Sequence, residues 1–185
     1  LNPSTGKILP IPLKEDILSD FTIAETTPEL VYSGESASNS QRLYSVNLKK
    51  KSSVCLKDLS AGILKDITLG EVHDWNFRAA AGDTIYGRYY LPPHFDPNKK
   101  YPAIIYVYGG PHAQLIHNNR FYDARGWDLY MAQKGYVMLT VDSRGSDNRG
   151  IKFENCTFRH LGTEEMKDQV QGAKFLQSLP YVDAD

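Results

Sequence analysis

Cysteine is scarce in this chain: two in 185 residues, with two tryptophans and three methionines. Cys55 and Cys156 are far apart and form no C-x-x-C pair, which leaves one disulfide or two small buried thiols; the second is the expectation. Charge of one sign is also lacking. The 21 basic and 22 acidic residues nearly cancel, so nothing steers the chain toward nucleic acid or an anionic membrane. There is no run of ~18 apolar residues to span a bilayer. No basic-apolar leader opens the sequence, so a targeting segment would lie outside it. Self-sufficient catalytic signatures are missing too: no G-x-S-x-G, H-E-x-x-H, Walker loop or G-x-G-x-x-G occurs.

Tyrosine is what the chain has in quantity, twelve of them, and aromatic content of this kind favours strands. The segments FTIAE (21–25), ELVYSGE (29–35), RLYSVNLK (42–49) and SSVCLKDL (52–59) read as short strands separated by TTP, SASNS and KKKSS turns. Four strands at this spacing match one blade of a β-propeller or a piece of a sandwich. No second copy follows, and Lys49–Lys51 reads as a solvated hairpin tip. A second hairpin is expected from 71–79 and 84–92 around the turn Ala80-Ala81-Gly82-Asp83.

From residue 101 the pattern changes. AIIYVY (103–108) is a continuous apolar strand of the sort buried on both faces. GWDLYMAQKG (126–135) reads as a helix with Trp127, Tyr130, Met131 and Lys134 at helical spacing and Gly135 as its stop. YVMLTV (136–141) is another apolar strand. Residues 163–179 predict a helix with Thr163 as N-cap and an apolar stripe of Met166, Val170, Ala173 and Leu176. Strand–helix–strand–helix with apolar strands predicts an α/β layer. The next parallel strand is expected at YVDAD (181–185), and with that strand incomplete the chain reads as part of a longer protein.

Candidate chemistry is sparse. Ser146 follows a strand, but Arg144 and Asn148 stand where a nucleophile elbow needs glycines, so it reads as a loop residue. His112 and His117 are five apart, poor spacing for two ligands on one helical face, and read as loop residues. Asn155-Cys156-Thr157 fits a glycosylation sequon that matters only in a eukaryotic secretory setting.

The segments YPAIIYVYGGPHAQ (101–114), GWDLYMAQKGYVMLTVDSRGSDNRG (126–150), LGTEEMKDQ (161–169) and LPYVDAD (179–185) resemble, in order and spacing, segments of the prolyl oligopeptidase family of serine peptidases. The likeness is strongest to the dipeptidyl peptidase IV branch, especially bacterial prolyl tripeptidyl peptidases. It implies an α/β fold: the N-terminal part of an α/β-hydrolase domain over 71–185, stopping before the nucleophile elbow, preceded over 1–70 by antiparallel β resembling the last blade of a β-propeller. It implies a serine exopeptidase releasing short N-terminal peptides, often after proline, with peptide substrates, no cofactor, no metal, no nucleic-acid partner and a homodimeric parent. A periplasmic or cell-envelope location also follows from the resemblance. The catalytic Ser, Asp and His have no counterparts in these residues, so the chain alone is expected to be inactive.

Within that resemblance Tyr108 matches the tyrosine of the family's VYxGP segment, which donates its hydroxyl to the oxyanion of the tetrahedral intermediate. A phenol, with an ordinary pKa near ~10, keeps its proton at neutral pH and can donate. Glycines beside it let the backbone turn sharply. From residue grammar alone, Tyr108 also reads as a strand-end aromatic under a loop. Arg144, Gly145 and Asp168 match family positions read as scaffold. The remaining alternatives are an acylaminoacyl-type peptidase or esterase of the same fold, and a non-catalytic binding module.

Overall fold

The computed structural model describes residues 4–8, 10–36, 39–119 and 124–184. They form two compact units: Leu1–Ile67 with Asn118–Arg120, and Thr68–His117 with Phe121–Asp185.

The first unit is an antiparallel sheet in which β1 (Ile17–Ile23), β2 (Glu29–Glu35), β3 (Arg42–Asn47) and β4 (Ser52–Asp58) each pair with the next, followed by the short helix α1 (Ala61–Leu64). Strand β1 starts four residues earlier than FTIAE suggests. Its register shifts between Ser19 and Thr22, and Asp20 has φ 55°, so the strand bulges there. Ala37 and Ser38, from the turn expected after β2, lie outside the described residues. Alternation places Leu30, Tyr32, Tyr44 and Val46 in a small core. Tyr32 and Tyr44 face each other across β2 and β3 with rings stacked 5.3 Å apart.

Both phenols end in polar contacts. The Tyr32 hydroxyl accepts from the Lys14 amide at 2.9 Å, and the Tyr44 hydroxyl donates to Glu15 Oε1 at 2.5 Å. Glu15 also accepts from Asn39 Nδ2 at 3.2 Å and lies 3.6 Å from Arg42. Burial pushes its carboxyl up, but hydrogen bonds from Tyr44, Ser36 and Asn39 with the Arg42 charge outweigh that and hold it below the usual carboxylate range. Cys55 is a free and exposed thiol, not the buried one expected. It lies on β4, most of whose residues are exposed.

The second unit carries β5 (Val72–Arg78), β6 (Thr84–Tyr90), β7 (Ala103–Tyr106), α2 (Trp127–Gln133), β8 (Val137–Asp142), α3 (Ile151–Glu154), a 3₁₀ turn at Asn155–Thr157 and α4 (Glu164–Ser178). The sheet order is β5-β6-β8-β7; only the β7–β8 pair is parallel, with α2 in the crossover. The architecture is α/β, as the change of pattern at residue 101 anticipates. Every residue of β8 is buried. Val137, Leu139 and Val141 enter one apolar cluster with Leu176 and Phe153, whereas Met138 joins another with Leu129 and Ala132 of α2. A strand covered on both faces needs an unbroken apolar run, which VMLTV supplies. Gly87 on β6 is required by packing: a Cβ there would lie 2.6 Å from the Trp75 ring, which stacks on Phe175 at 4.4 Å.

Four expectations need correction. Strand β7 stops at Tyr106, two residues short, and its four residues are half-buried; with β5 at the other side, it is one of the two edge strands among the described residues. Beyond it, Tyr101 and Val182 form a single parallel bridge, where a further strand is anticipated. In α2 the buried residues are Asp128, Leu129 and Ala132, while Trp127 and Tyr130 face solvent. In α4 Met166 and Val170 are exposed, and Glu165, Asp168, Gly172 and Leu176 are buried. Nor does the Thr163 side chain cap α4: its hydroxyl donates to the His160 carbonyl, and Glu165 accepts from the Gly162 and Thr163 amides instead.

Candidate functional site

The loop from Val107 to His117 leaves the C-terminal end of parallel strand β7, the edge of an open α/β sheet where ligand crevices form. Tyr108 lies two residues past the strand and is 53% exposed. Gly109 takes φ 64°, and a Cβ on Gly110 would sit 3.1 Å from the Tyr108 ring. The two glycines thus serve different ends: one turns the chain, the other clears space for the phenol. The Tyr108 hydroxyl donates to the Pro111 carbonyl at 3.2 Å. An open cavity of about 590 Å³ lies beside it, lined among others by Tyr106, Tyr108, His112, Gln114, His117 and Asn148.

The two histidines do not converge. His112 turns its Nδ1 to Glu154 at 3.1 Å and to Asp147 at 4.0 Å, whereas His117 Nε2 meets the Gln114 carbonyl at 2.7 Å. His112, Asp147 and Glu154 bring three donor atoms within 4.8 Å of one another, a cluster hidden in the sequence by the 35 and 42 positions separating its members. The exposed His112 sits there with its Nδ1 within hydrogen-bond distance of Glu154.

The loop is tied down along its length. Asp142, the last residue of β8, accepts from the amides of Leu115 at 2.7 Å and Ile116 at 3.0 Å. The Asp147 amide donates to the Ala113 carbonyl at 3.2 Å, Asn148 Nδ2 to Gln114 Oε1 at 2.8 Å, and buried Arg88 to the His117 carbonyl at 2.6 Å. Burial pushes the Asp142 carboxyl up, against the two loop amides and the charges of His117 and Arg149. An acid at the end of an apolar strand looks like the first residue of a loop, so the sequence did not mark it.

The residues read as scaffold form one buried ion pair. Arg144 grips Asp168 through Nε at 3.0 Å and Nη2 at 2.8 Å, its own amide adds a third bond at 2.8 Å, and Glu164 closes the guanidinium at 2.5 Å. The Asp168 partner that the sequence left unnamed is therefore Arg144. Ser146 is buried, away from the exposure a nucleophile needs. Cys156 is a free, half-buried thiol whose pKa burial raises.

Residues 123–185 match the profile of the prolyl oligopeptidase family. Dipeptidyl peptidase 8 of Homo sapiens is 41% identical over 112 residues, which is 60% of this chain and 12% of the relative. A solved Bacteroides ovatus structure assigned as a dipeptidyl aminopeptidase IV superposes with TM-score 0.76 at 41% identity, covering 90% of this chain and 24% of that one. Acylaminoacyl peptidase from Pyrococcus horikoshii shares the fold, with TM-score 0.74, 24% identity and coverage of 97% and 27%. The chain thus spans about an eighth of the curated relative and a quarter of the solved chains. The family likeness falls on α2, β8, α3 and α4, so Arg144, Asp142 and Asp168 lie inside it, and Tyr108 lies upstream of the matched residues.

Proposed function

We propose that the whole protein is a serine exopeptidase that releases short N-terminal peptides, often after proline, by acyl transfer. Residues 71–185 supply the N-terminal part of its α/β-hydrolase domain, and residues 1–70 a β-propeller blade. The catalytic Ser, His and Asp come from outside these 185 residues, which alone are inactive. Tyr108 donates its hydroxyl to the oxyanion of the tetrahedral intermediate. The observation that carries this reading is the exposed phenol on a clamped loop at the C-terminal end of β7, on the wall of an open cavity. The dipeptidyl-peptidase names of the relatives support the substrate class.

The test is Tyr108→Phe in the full-length enzyme, assayed on Xaa-Pro anilides beside acyl-amino-acid anilides and p-nitrophenyl esters. Loss of one oxyanion donor lowers kcat by roughly 10²–10³-fold, with KM nearly unchanged. An unchanged kcat would reject the role, and a preference for acyl-amino-acid anilides or esters would reject the exopeptidase assignment.

A further inference from the structure

Both ends of the Tyr108 loop are set by the last three residues of β8. At the near end, Tyr106 pairs with Thr140 in the parallel ladder. At the far end, the Asp142 carboxylate takes the amides of Leu115 and Ile116, one on each oxygen. Asp142 is itself fixed, because it is buried and its backbone is in register with Tyr86 of β6. Between the two anchors the chain runs through Gly109 and Gly110, which add no side-chain restraint, and through His112 at φ 61°. A span holding adjacent glycines has a wide choice of backbone states, so its geometry depends on the ties that hold it, and the two Asp142 bonds are those at its far end.

We propose that Asp142 is a positioning residue for the reaction, holding the far end of the 107–117 loop so that the Tyr108 hydroxyl stays where the oxyanion forms. The inference rests on the oxyanion role proposed for Tyr108. Asp142 touches neither substrate nor the reacting atoms; it acts through two backbone amides and the chain between them and the phenol. Replacing the carboxylate by an amide leaves one acceptor oxygen and turns an NH2 group toward a backbone amide, so one of the two bonds is lost. Displacement of a catalytic group by about 1 Å is enough to cost on the order of 100-fold in rate.

The discriminating experiment is a double-mutant cycle in the full-length enzyme with Tyr108→Phe and Asp142→Asn, reading kcat, KM and the melting temperature. Asp142→Asn alone lowers kcat by roughly 10–100-fold and leaves KM within about twofold. In the Tyr108→Phe background the same substitution changes kcat by less than about twofold, since there is no phenol left to position. Equal losses in both backgrounds would overturn the inference and make Asp142 a structural residue only. If Tyr108→Phe alone has no effect, it is the oxyanion role that fails. Should Asp142→Asn fail to fold, exposed Asn148→Ala releases the neighbouring tie to Gln114 without touching the core. It is expected to give a smaller kcat loss that is again absent with Phe at 108, and additivity there would overturn the inference equally.

Discussion

The two units solve the same problem, a sheet that must bury part of itself, in opposite ways. The first pairs each strand with its sequence neighbour and keeps a core of four residues, while β1 and β4 stay largely exposed. The second threads β8 between β6 and β7 and buries all six of its residues. Their polar groups follow suit. Arg42 and Asp58 pair at the surface with 30% and 32% of their side chains exposed, whereas Arg144 and Asp168 pair at 7% and 1%. An ion pair in water is a minor ornament of a fold, and one out of water is a commitment, because removing a partner strands a charge.

That contrast can be broken most visibly at Arg144. Arg144→Ala leaves Asp168 buried and unpaired, at an expected cost of about 3–5 kcal/mol, read as a fall in the urea midpoint followed by tryptophan fluorescence. Both tryptophans, Trp75 and Trp127, report on the second unit. Arg42→Ala, followed by far-UV circular dichroism because both tryptophans lie in the second unit, should shift stability no more than an ordinary surface substitution. Comparable losses from the two changes would erase the distinction between the pairs.

A second, smaller effect is one of sign. Glu15 is held below the usual carboxylate range, so its contribution is present above the unfolded pKa and is lost as pH falls through the folded one. Asp142 is pushed above that range by burial, with His117 and Arg149 facing it, so its contribution is present below the unfolded pKa and is lost as pH rises through the folded one. Between about pH 3 and pH 7, the stability gap between wild type and Glu15→Gln should shrink on acidification. Over the same range the gap for Asp142→Asn should move in wild type's favour. Gaps that drift in the same direction would contradict the assignment.

The smallest effect needs no substitution. Each unit holds one free thiol, exposed Cys55 and half-buried Cys156, the latter with its pKa raised by burial. A thiol reagent at neutral pH should label Cys55 first, and faster labelling of Cys156 would show the second unit opening more readily than its packing implies.

The same contrast explains what could be read from the sequence. Alternation and unbroken apolar runs located β2 at its observed bounds and β8 within a residue of them, because Leu30 and Tyr32 in one and Val137–Leu139 in the other put apolar side chains at buried positions. The helices misled where burial is polar. The face of α4 that meets the sheet carries Glu165 and Asp168, one capping the helix start and the other holding Arg144, so a search for apolar periodicity selects exposed Met166 and Val170. In α2 the buried Asp128 accepts from the amides of Ala124 and Leu129, with the same result. Of the proposed site, Tyr108 was singled out by the resemblance of its VYGGP segment to the family, not by residue grammar alone. Asp142 and the His112 cluster were not, since their partners are brought together only by the fold.

The resting contact between the Tyr108 hydroxyl and the Pro111 carbonyl sets a threshold. A neutral carbonyl oxygen is already the acceptor, so an arriving substrate carbonyl offers the phenol an exchange of like for like, with little net gain. A full negative charge makes a hydrogen bond about twice as strong and wins the exchange. In the proposed role, the loop would therefore ignore bound substrate and answer only to the oxyanion, which is the selectivity that turns binding into rate.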